Sequence, residues 1–140
     1  MAKTMARKTK AEHWGKEPDE HDFPAAGDYL SLLLPEADVE RLVATLRDAP
    51  LITRKAKDLL RASRLALLPE VNPHVQADLR KVARGKPLSP VLLVRGGLPN
   101  DLPLTVADGY HRICASYHLD ENADIPCRIV DGWPTRTPRR

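Results

Sequence analysis

The hydrophobic pattern in the last third of the chain constrains the fold more than any other feature. Residues 104–107 form a short apolar run typical of a strand, and Asp108-Gly109 then leads into a helical pattern over residues 110–119. Apolar residues alternate with other residues at 125–130, which predicts a half-buried strand. This order predicts an α/β (α+β) domain in which a small mixed sheet is flanked by helices.

The segment before this region supplies a helix and another strand. Asn72 is a typical N-cap and Pro73 suits the first helical position, so we predict that a helix begins there and ends near Gly85. Residues 91–94 form a continuous apolar run, which is typical of a buried strand. We expect this strand to form a hairpin with residues 104–107, joined by a long loop.

The chain divides into four regions by composition. Residues 1–24 are polar and charged, so we interpret them as a flexible leader, in which Trp14 and Phe23 are the residues that could dock. Two helical patterns separated by Pro35 predict a helical extension over residues 25–50. The main domain is then expected at 51–133, followed by a basic tail at 134–140. Within the domain, residues 54–61 fit either a helix or a short strand.

Length and charge exclude several classes of protein. The 140 residues are enough for one domain with a core of its own, and two cysteines do not make a disulfide framework. No stretch approaches the ~20 apolar residues that span a bilayer, and the first residues lack the apolar core of a secretion signal. We therefore expect a cytoplasmic protein with no membrane partner. The net charge of +3 permits contact with phosphate without demanding it.

The sequence Asp108-Gly109-Tyr110-His111-Arg112 carries the clearest chemical signal. A tight turn from a strand into a helix leaves the first backbone N–H groups of the helix without partners, at the positive end of the helix dipole. Gly109 permits the sharp turn, Arg112 offers a planar fork for phosphate oxygens, and His111 can donate to phosphate or titrate near neutral pH. These properties favour an anion at the turn.

A purely structural role for the same residues is an open alternative. Asp108 could cap the helix or pair with Arg112, Gly109 could serve the turn alone, and His111 could bond a backbone carbonyl. Cysteine and histidine are zinc ligand types, but cysteine is more often simply buried, so we expect no metal site from His111, Cys114, His118 and Cys127.

The segments around this turn resemble the ParB/sulfiredoxin superfamily over somewhat more than half of the chain. The matching pieces are KAKDLLRAS as an initial strand, the helix NPHVQADLRKVARG, the Gly85–Pro90 segment, VLLV, LTVADGYHRICASYHL and IPCRIV. The order D-G-x-H-R followed by a strand that begins with Ile-Pro is the most specific element of the resemblance.

The resemblance implies a nucleotide site. The Gly109, Tyr110, His111 and Arg112 turn would bind the phosphates of ATP or CTP, with Mg²⁺ as a further expected ligand. Arg61, placed at the end of the initial strand, would lie near the pocket, and Ser89 would lie beside the base. Sulfiredoxins carry their catalytic cysteine directly before the His-Arg pair, where this chain has Tyr110, so sulfinic acid reduction is not expected.

Three activities fit the resemblance at this point. The first is a nucleotide-binding domain acting as a switch or a nucleotide hydrolase. The second is a small-molecule phosphotransferase similar to free serine kinases, which needs a carboxylate base, with Asp108 and Glu70 as the candidates beside His111. The third is a DNA-associated partition-like factor or nuclease, with DNA contacted by the basic tails and by Arg80, Lys81 and Arg84.

Overall fold

A computed structural model describes residues 13–132 of the chain. Within this range it contains five α-helices and four strands. The helices are α1 (Asp22–Leu30), α2 (Glu36–Asp48), α3 (Ala56–Ser63), α4 (Pro73–Ala83) and α5 (Tyr110–Leu119). The strands are β1 (Ile52–Lys55), β2 (Val91–Arg95), β3 (Thr105–Asp108) and β4 (Asp124–Asp131). The protein is therefore the small α+β domain that the sequence predicted.

The four strands form one mixed sheet in the order β1-β4-β2-β3. Strand β4 runs antiparallel to β1 and parallel to β2, and β2 runs antiparallel to β3. In this register Leu93 of β2 lies beside Val106 on one side and Ile129 on the other. The predicted hairpin between β2 and β3 is confirmed, and its loop contains a short 3-10 turn at Leu98–Asn100.

Each face of the sheet is covered by its own set of helices. Strand β2 shows why, because Val91 and Leu93 point into one core while Leu92 and Val94 point into the other. Helices α3, α4 and α5 pack on the first face, and α1 and α2 pack on the second. A strand buried on both faces has no polar alternation, which explains the continuous apolar run at 91–94.

The helix boundaries that depend on local chemistry are confirmed. Asn72 Oδ1 accepts from the N–H of His74 at 2.9 Å and of Val75 at 3.2 Å, as an N-cap does. Gly85, at the other end of α4, has a φ of 78°, and its N–H donates to Val82 O at 2.9 Å. The residues predicted as a helical extension hold most of α1 and all of α2, and Pro35 is the N-cap of α2.

Two predictions about local structure are wrong. The leader predicted at 1–24 is ordered from residue 13, since Trp14 and Phe23 are buried and α1 begins at Asp22. Residues 1–12 and the basic tail lie outside the described residues. The initial strand predicted for KAKDLLRAS is a helix over nearly its whole length, since β1 ends at Lys55 and α3 runs from Ala56 to Ser63. Arg61 therefore lies on a helix and not at the end of a strand.

The helices of residues 13–132 are all too short or too polar to cross a bilayer.

Candidate functional site

The predicted turn joins β3 to α5 with a backbone conformation that requires glycine. Gly109 has a φ of 115° and is the N-cap of α5. A Cβ atom at Gly109 would lie 2.4 Å from Val91 Cγ1, so no larger residue fits without moving β2. Helical hydrogen bonding in α5 begins at Ile113, whose N–H donates to Gly109 O at 3.0 Å. The N–H groups of residues 110–112 precede this bond, at the positions where helix N–H groups have no intrahelical partner.

The start of α5 opens into a cleft of about 340 Å³, which we call the aspartate cleft. It lies where the N-terminal segment, α4 and the β3–α5 turn meet. Its polar lining consists of Asp19, His21, Asp22, His74, Asp78, Lys81, Ser89, Asp108, Tyr110, His111 and Arg112. The structure therefore brings six of the predicted site residues to one place, together with acids that the sequence did not indicate; the six are Ser89, Asp108, Gly109, Tyr110, His111 and Arg112.

Arg112 is held by two carboxylates. Its Nη2 donates to Asp108 Oδ2 at 2.9 Å and to Pro90 O at 3.2 Å, and it lies 3.7 Å from Asp22 Oδ2. The Arg112 side chain is 16% exposed and that of Asp22 is 4% exposed. The Asp108–Arg112 pair that the sequence left open as a structural alternative is therefore present. The guanidinium is fixed at the cleft by the carboxylates around it.

Asp22 is the residue that closes this network. Its Oδ2 accepts from Ser89 Oγ at 2.7 Å and from the N–H of Asp19 at 3.1 Å, besides facing Arg112. Ser89, predicted beside a nucleotide base, thus has a carboxylate partner in the cleft. Sequence reasoning missed Asp22 because it belongs to the segment interpreted as a leader, and Ser89, its nearest partner across the cleft, is 67 residues away along the chain.

A histidine pair and a buried acid form the other wall of the cleft. The rings of His74 and His111 are 4.6 Å apart between centroids. Burial raises the pKa of Asp78, whereas Lys81 nearby lowers it. Burial also lowers the pKa of His111, with the neighbouring His74 as the next cause. Asp78 lies three residues after Val75 on the buried stripe of α4, so a charged residue at a core position was a signal in the sequence.

The charge balance of the aspartate cleft is acidic. Four carboxylates line it, those of Asp19, Asp22, Asp78 and Asp108, against the permanent positive charges of Lys81 and Arg112. Burial raises the pKa of Asp108, and the Arg112 charge and hydrogen bond act in the opposite direction. A cleft of this composition favours a cation, or an anion that arrives with one.

A group of oxygen and nitrogen ligands lies at the rim of the cleft. Ligand atoms of Asp19, His21 and Asp22 are within 4.8 Å of one another. Carboxylate oxygens suit Mg²⁺, which usually keeps several waters and binds through one or two carboxylates together with phosphates. Two members of this group, Asp19 and His21, are exposed, and Asp22 is buried.

Three predicted site residues are used elsewhere or differently. Tyr110 lines the cleft, but its hydroxyl donates to Ala66 O and so fixes the loop before α4. Glu70 lies outside the cleft lining, and its Oε2 is 3.7 Å from His118 Nδ1. Arg61 is 86% exposed on α3 and lines a different cleft. The structure brings neither Glu70 nor Arg61 to the turn.

The cysteines are part of the core. Cys114 and Cys127 are both fully buried in the first hydrophobic core, and burial raises the pKa of Cys127 to about 11. His118 Nε2 lies 2.7 Å from Leu68 O. Within residues 13–132, these side chains do not form a metal-ligand cluster with His111.

Comparison of the chain with protein families, with curated proteins and with solved structures gives no match in any of the three. The resemblance to the ParB/sulfiredoxin superfamily therefore stays a prediction that the motif residues carry.

Proposed function

We propose that the aspartate cleft binds a nucleotide, ATP or CTP, together with Mg²⁺. The observation that carries the proposal is the position of the α5 start: Gly109, Tyr110, His111 and Arg112 all line the cleft, so the first turn of the helix borders it. Phosphate oxygens accept hydrogen bonds from the N–H groups of a helix start and from arginine, and the helix dipole adds favourable potential. The cleft volume of about 340 Å³ is at the low end of small-molecule sites.

The acids of the cleft make the cation part of the proposal. Asp22 and Asp108 already balance Arg112, so a nucleotide without a cation would add its negative charges to those of four carboxylates. Mg²⁺ held by Asp19 and Asp22 would offset this repulsion by bridging the carboxylates and the phosphates. We therefore expect nucleotide binding to depend on the divalent cation.

Thermal unfolding in the presence of ATP, CTP or GTP tests this dependence. With Mg²⁺, a nucleotide at a hundred times its dissociation constant stabilises the folded state by about 2.7 kcal/mol. The same nucleotide in EDTA should leave the unfolding temperature close to that of the free protein. Equal shifts with and without Mg²⁺ would contradict the role of the carboxylates, and no shift for any nucleotide would contradict the site.

Two matched variants connect the shift to the cleft. Asp19→Asn removes one metal ligand from an exposed position, so the fold should persist while the Mg²⁺-dependent shift falls. Asp28→Asn makes the same chemical change at an exposed position of α1 outside the cleft lining, and it should leave the shift unchanged. Equal losses in both variants would mean that general surface charge, and not the site, produces the effect.

Phosphoryl transfer is a second candidate, favoured by Asp78. This buried carboxylate is in the same cleft as His111, and burial raises its pKa, which makes it a stronger base than an ordinary aspartate. Asp78 thus replaces Glu70 as the candidate base. If the protein transfers phosphate to a small hydroxyl compound, Asp78→Asn should reduce turnover about 100-fold or more, and Glu70→Gln should not. The reverse result would restore Glu70.

A further inference from the structure

A second cleft of about 540 Å³ lies at the opposite end of β2 from the aspartate cleft. Four arginines line it, and we call it the arginine cleft: Arg54 of β1, Arg61 of α3, Arg64 at the C-cap of α3 and Arg95 of β2. Its apolar lining includes Leu98 and Leu102, which are exposed, and the half-buried Leu104 and Ile129. The cleft therefore joins an apolar surface to a rim of guanidinium groups.

The arginines of this cleft are bound only loosely. Among the described lining residues Asp58 is the one carboxylate, 3.7 Å from Arg61. Arg64 and Arg95 pair with Asp101 and Asp131, which do not line the cleft, and both ion pairs are exposed. Such exposed pairs contribute little to stability, so an anionic ligand can replace them at low cost.

Backbone geometry at the rim is a separate observation. Among the described residues other than glycine, Arg64 and Asp101 are the two with positive φ, at 61° and 55°. Their side chains form an exposed ion pair, with Arg64 Nη2 2.6 Å from Asp101 Oδ1. Arg64 is the C-cap of α3 and Asp101 is the C-cap of the 3-10 turn, and a left-handed residue is a common way for a helix to end, so these angles are explained by the helix ends.

We propose that the arginine cleft binds a small organic molecule that carries two or more phosphate groups. Guanidinium groups pair with phosphate oxygens through parallel hydrogen bonds, and four of them surround this cleft. The leucine and isoleucine side chains suit the carbon skeleton between the phosphates, and the volume is typical of small-molecule sites. No aromatic side chain is among the described lining residues, so the base stacking that holds single-stranded nucleic acid has no platform here.

Calorimetric titration with hexane-1,6-diol bisphosphate, in EDTA, tests the proposal. EDTA removes the cation on which binding in the aspartate cleft depends, so the two proposals fail separately. The double variant Arg54→Gln, Arg61→Gln changes two exposed side chains of the cleft. The control, Arg80→Gln with Arg84→Gln, loses the same charge from exposed positions at the C-terminal end of α4. The cleft variant should raise the dissociation constant at least about tenfold, and the control should leave it within about twofold.

Three outcomes would overturn the proposal. The first is absence of heat with the wild-type protein up to about 10 mM probe, which corresponds to a binding free energy weaker than about −3 kcal/mol. The second is equal weakening in both double variants, which would show that net charge alone attracts the probe. The third is tight binding of a single-stranded DNA of about twelve nucleotides without binding of the bisphosphate, which would show a nucleic-acid surface.

Discussion

The two clefts lie at opposite ends of β2 and use arginine in opposite ways. In the aspartate cleft Arg112 is 16% exposed, and Asp22 and Asp108 face its guanidinium. In the arginine cleft the side chains of Arg61, Arg64 and Arg95 are 52% to 86% exposed, and their acid partners are exposed as well. Burial decides the difference, because a buried guanidinium must be paired whereas an exposed one need not be. The first arginine is held in place by largely buried carboxylates, whereas the others form only exposed ion pairs.

The largest expected effect comes from removing the buried arginine. Arg112→Met leaves the carboxylates of Asp22 and Asp108 without their cation, so the free energy of unfolding should fall by roughly 3 kcal/mol or more. Arg61→Met removes an arginine that is 86% exposed and should change it by less than about 0.5 kcal/mol. Urea denaturation of both variants measures the contrast. Equal losses would mean that burial does not separate the two clefts.

Glycine substitutions compare the same two ends of β2. Gly109→Ala places a Cβ atom 2.4 Å from Val91 Cγ1 at a residue with a φ of 115°, and should cost roughly 2 to 3 kcal/mol. Gly97, which lines the arginine cleft, has a φ of −163° and no atom within 4 Å of an added Cβ. Gly97→Ala should therefore leave the unfolding temperature almost unchanged. If Gly109→Ala is equally neutral, the turn is not held against β2 as described.

The smallest expected effect is a pH-dependent gain from Asp78→Asn. Because burial raises the pKa of Asp78 above its ordinary value of 3.8, the charged form weakens the folded state at neutral pH. The protonated Asp78 contributes its full stability below pH 3.8. This contribution to the free energy of unfolding is lost as the pH rises through the pKa of Asp78 in the folded protein. The variant should thus be slightly more stable than the wild type at pH 7, with no gain near pH 3.8.

Differential scanning calorimetry from pH 3.5 to pH 7 follows this gain. The exposed arginine cleft supplies the control. Asp58→Asn, at a half-exposed side chain near Arg61, should give no gain that grows with pH. A variant of Asp78 that loses stability at pH 7 would show that hydrogen bonds or ion pairs of the carboxylate outweigh its burial.

Local chemistry made much of the fold predictable. Asn72-Pro73 begins α4, Gly85 ends it, and the runs at 91–94 and 104–107 form the predicted hairpin. These features depend on neighbours in sequence, through capping, turn geometry and periodicity. The same is true of the Gly109 turn, whose position at the start of α5 was predicted.

Long-range contacts were not predictable from the sequence. Asp22 meets Arg112 and Ser89 only after α1 has packed on the sheet, and a polar segment gives no sign of that contact. Trp14 pairs with Leu88 through a single bridge, which a short, charged stretch does not suggest. Arg61 was assigned to the wrong element because the change from strand to helix at Lys55 leaves no clear period.

The most direct test of the account is NMR spectroscopy of the backbone amides during titration with a nucleotide and Mg²⁺. The start of α5 should respond first, so the amide signals of Tyr110, His111 and Arg112 should shift with Mg²⁺-ATP or Mg²⁺-CTP and return with EDTA. The amide signals of Gly96 and Gly97, which line the arginine cleft, should not shift in the same titration. The nucleotide concentration is kept below the range in which the arginine cleft would bind it weakly. Unmoved signals at residues 110–112, with saturating nucleotide and Mg²⁺, would contradict the claim that the aspartate cleft is a nucleotide site.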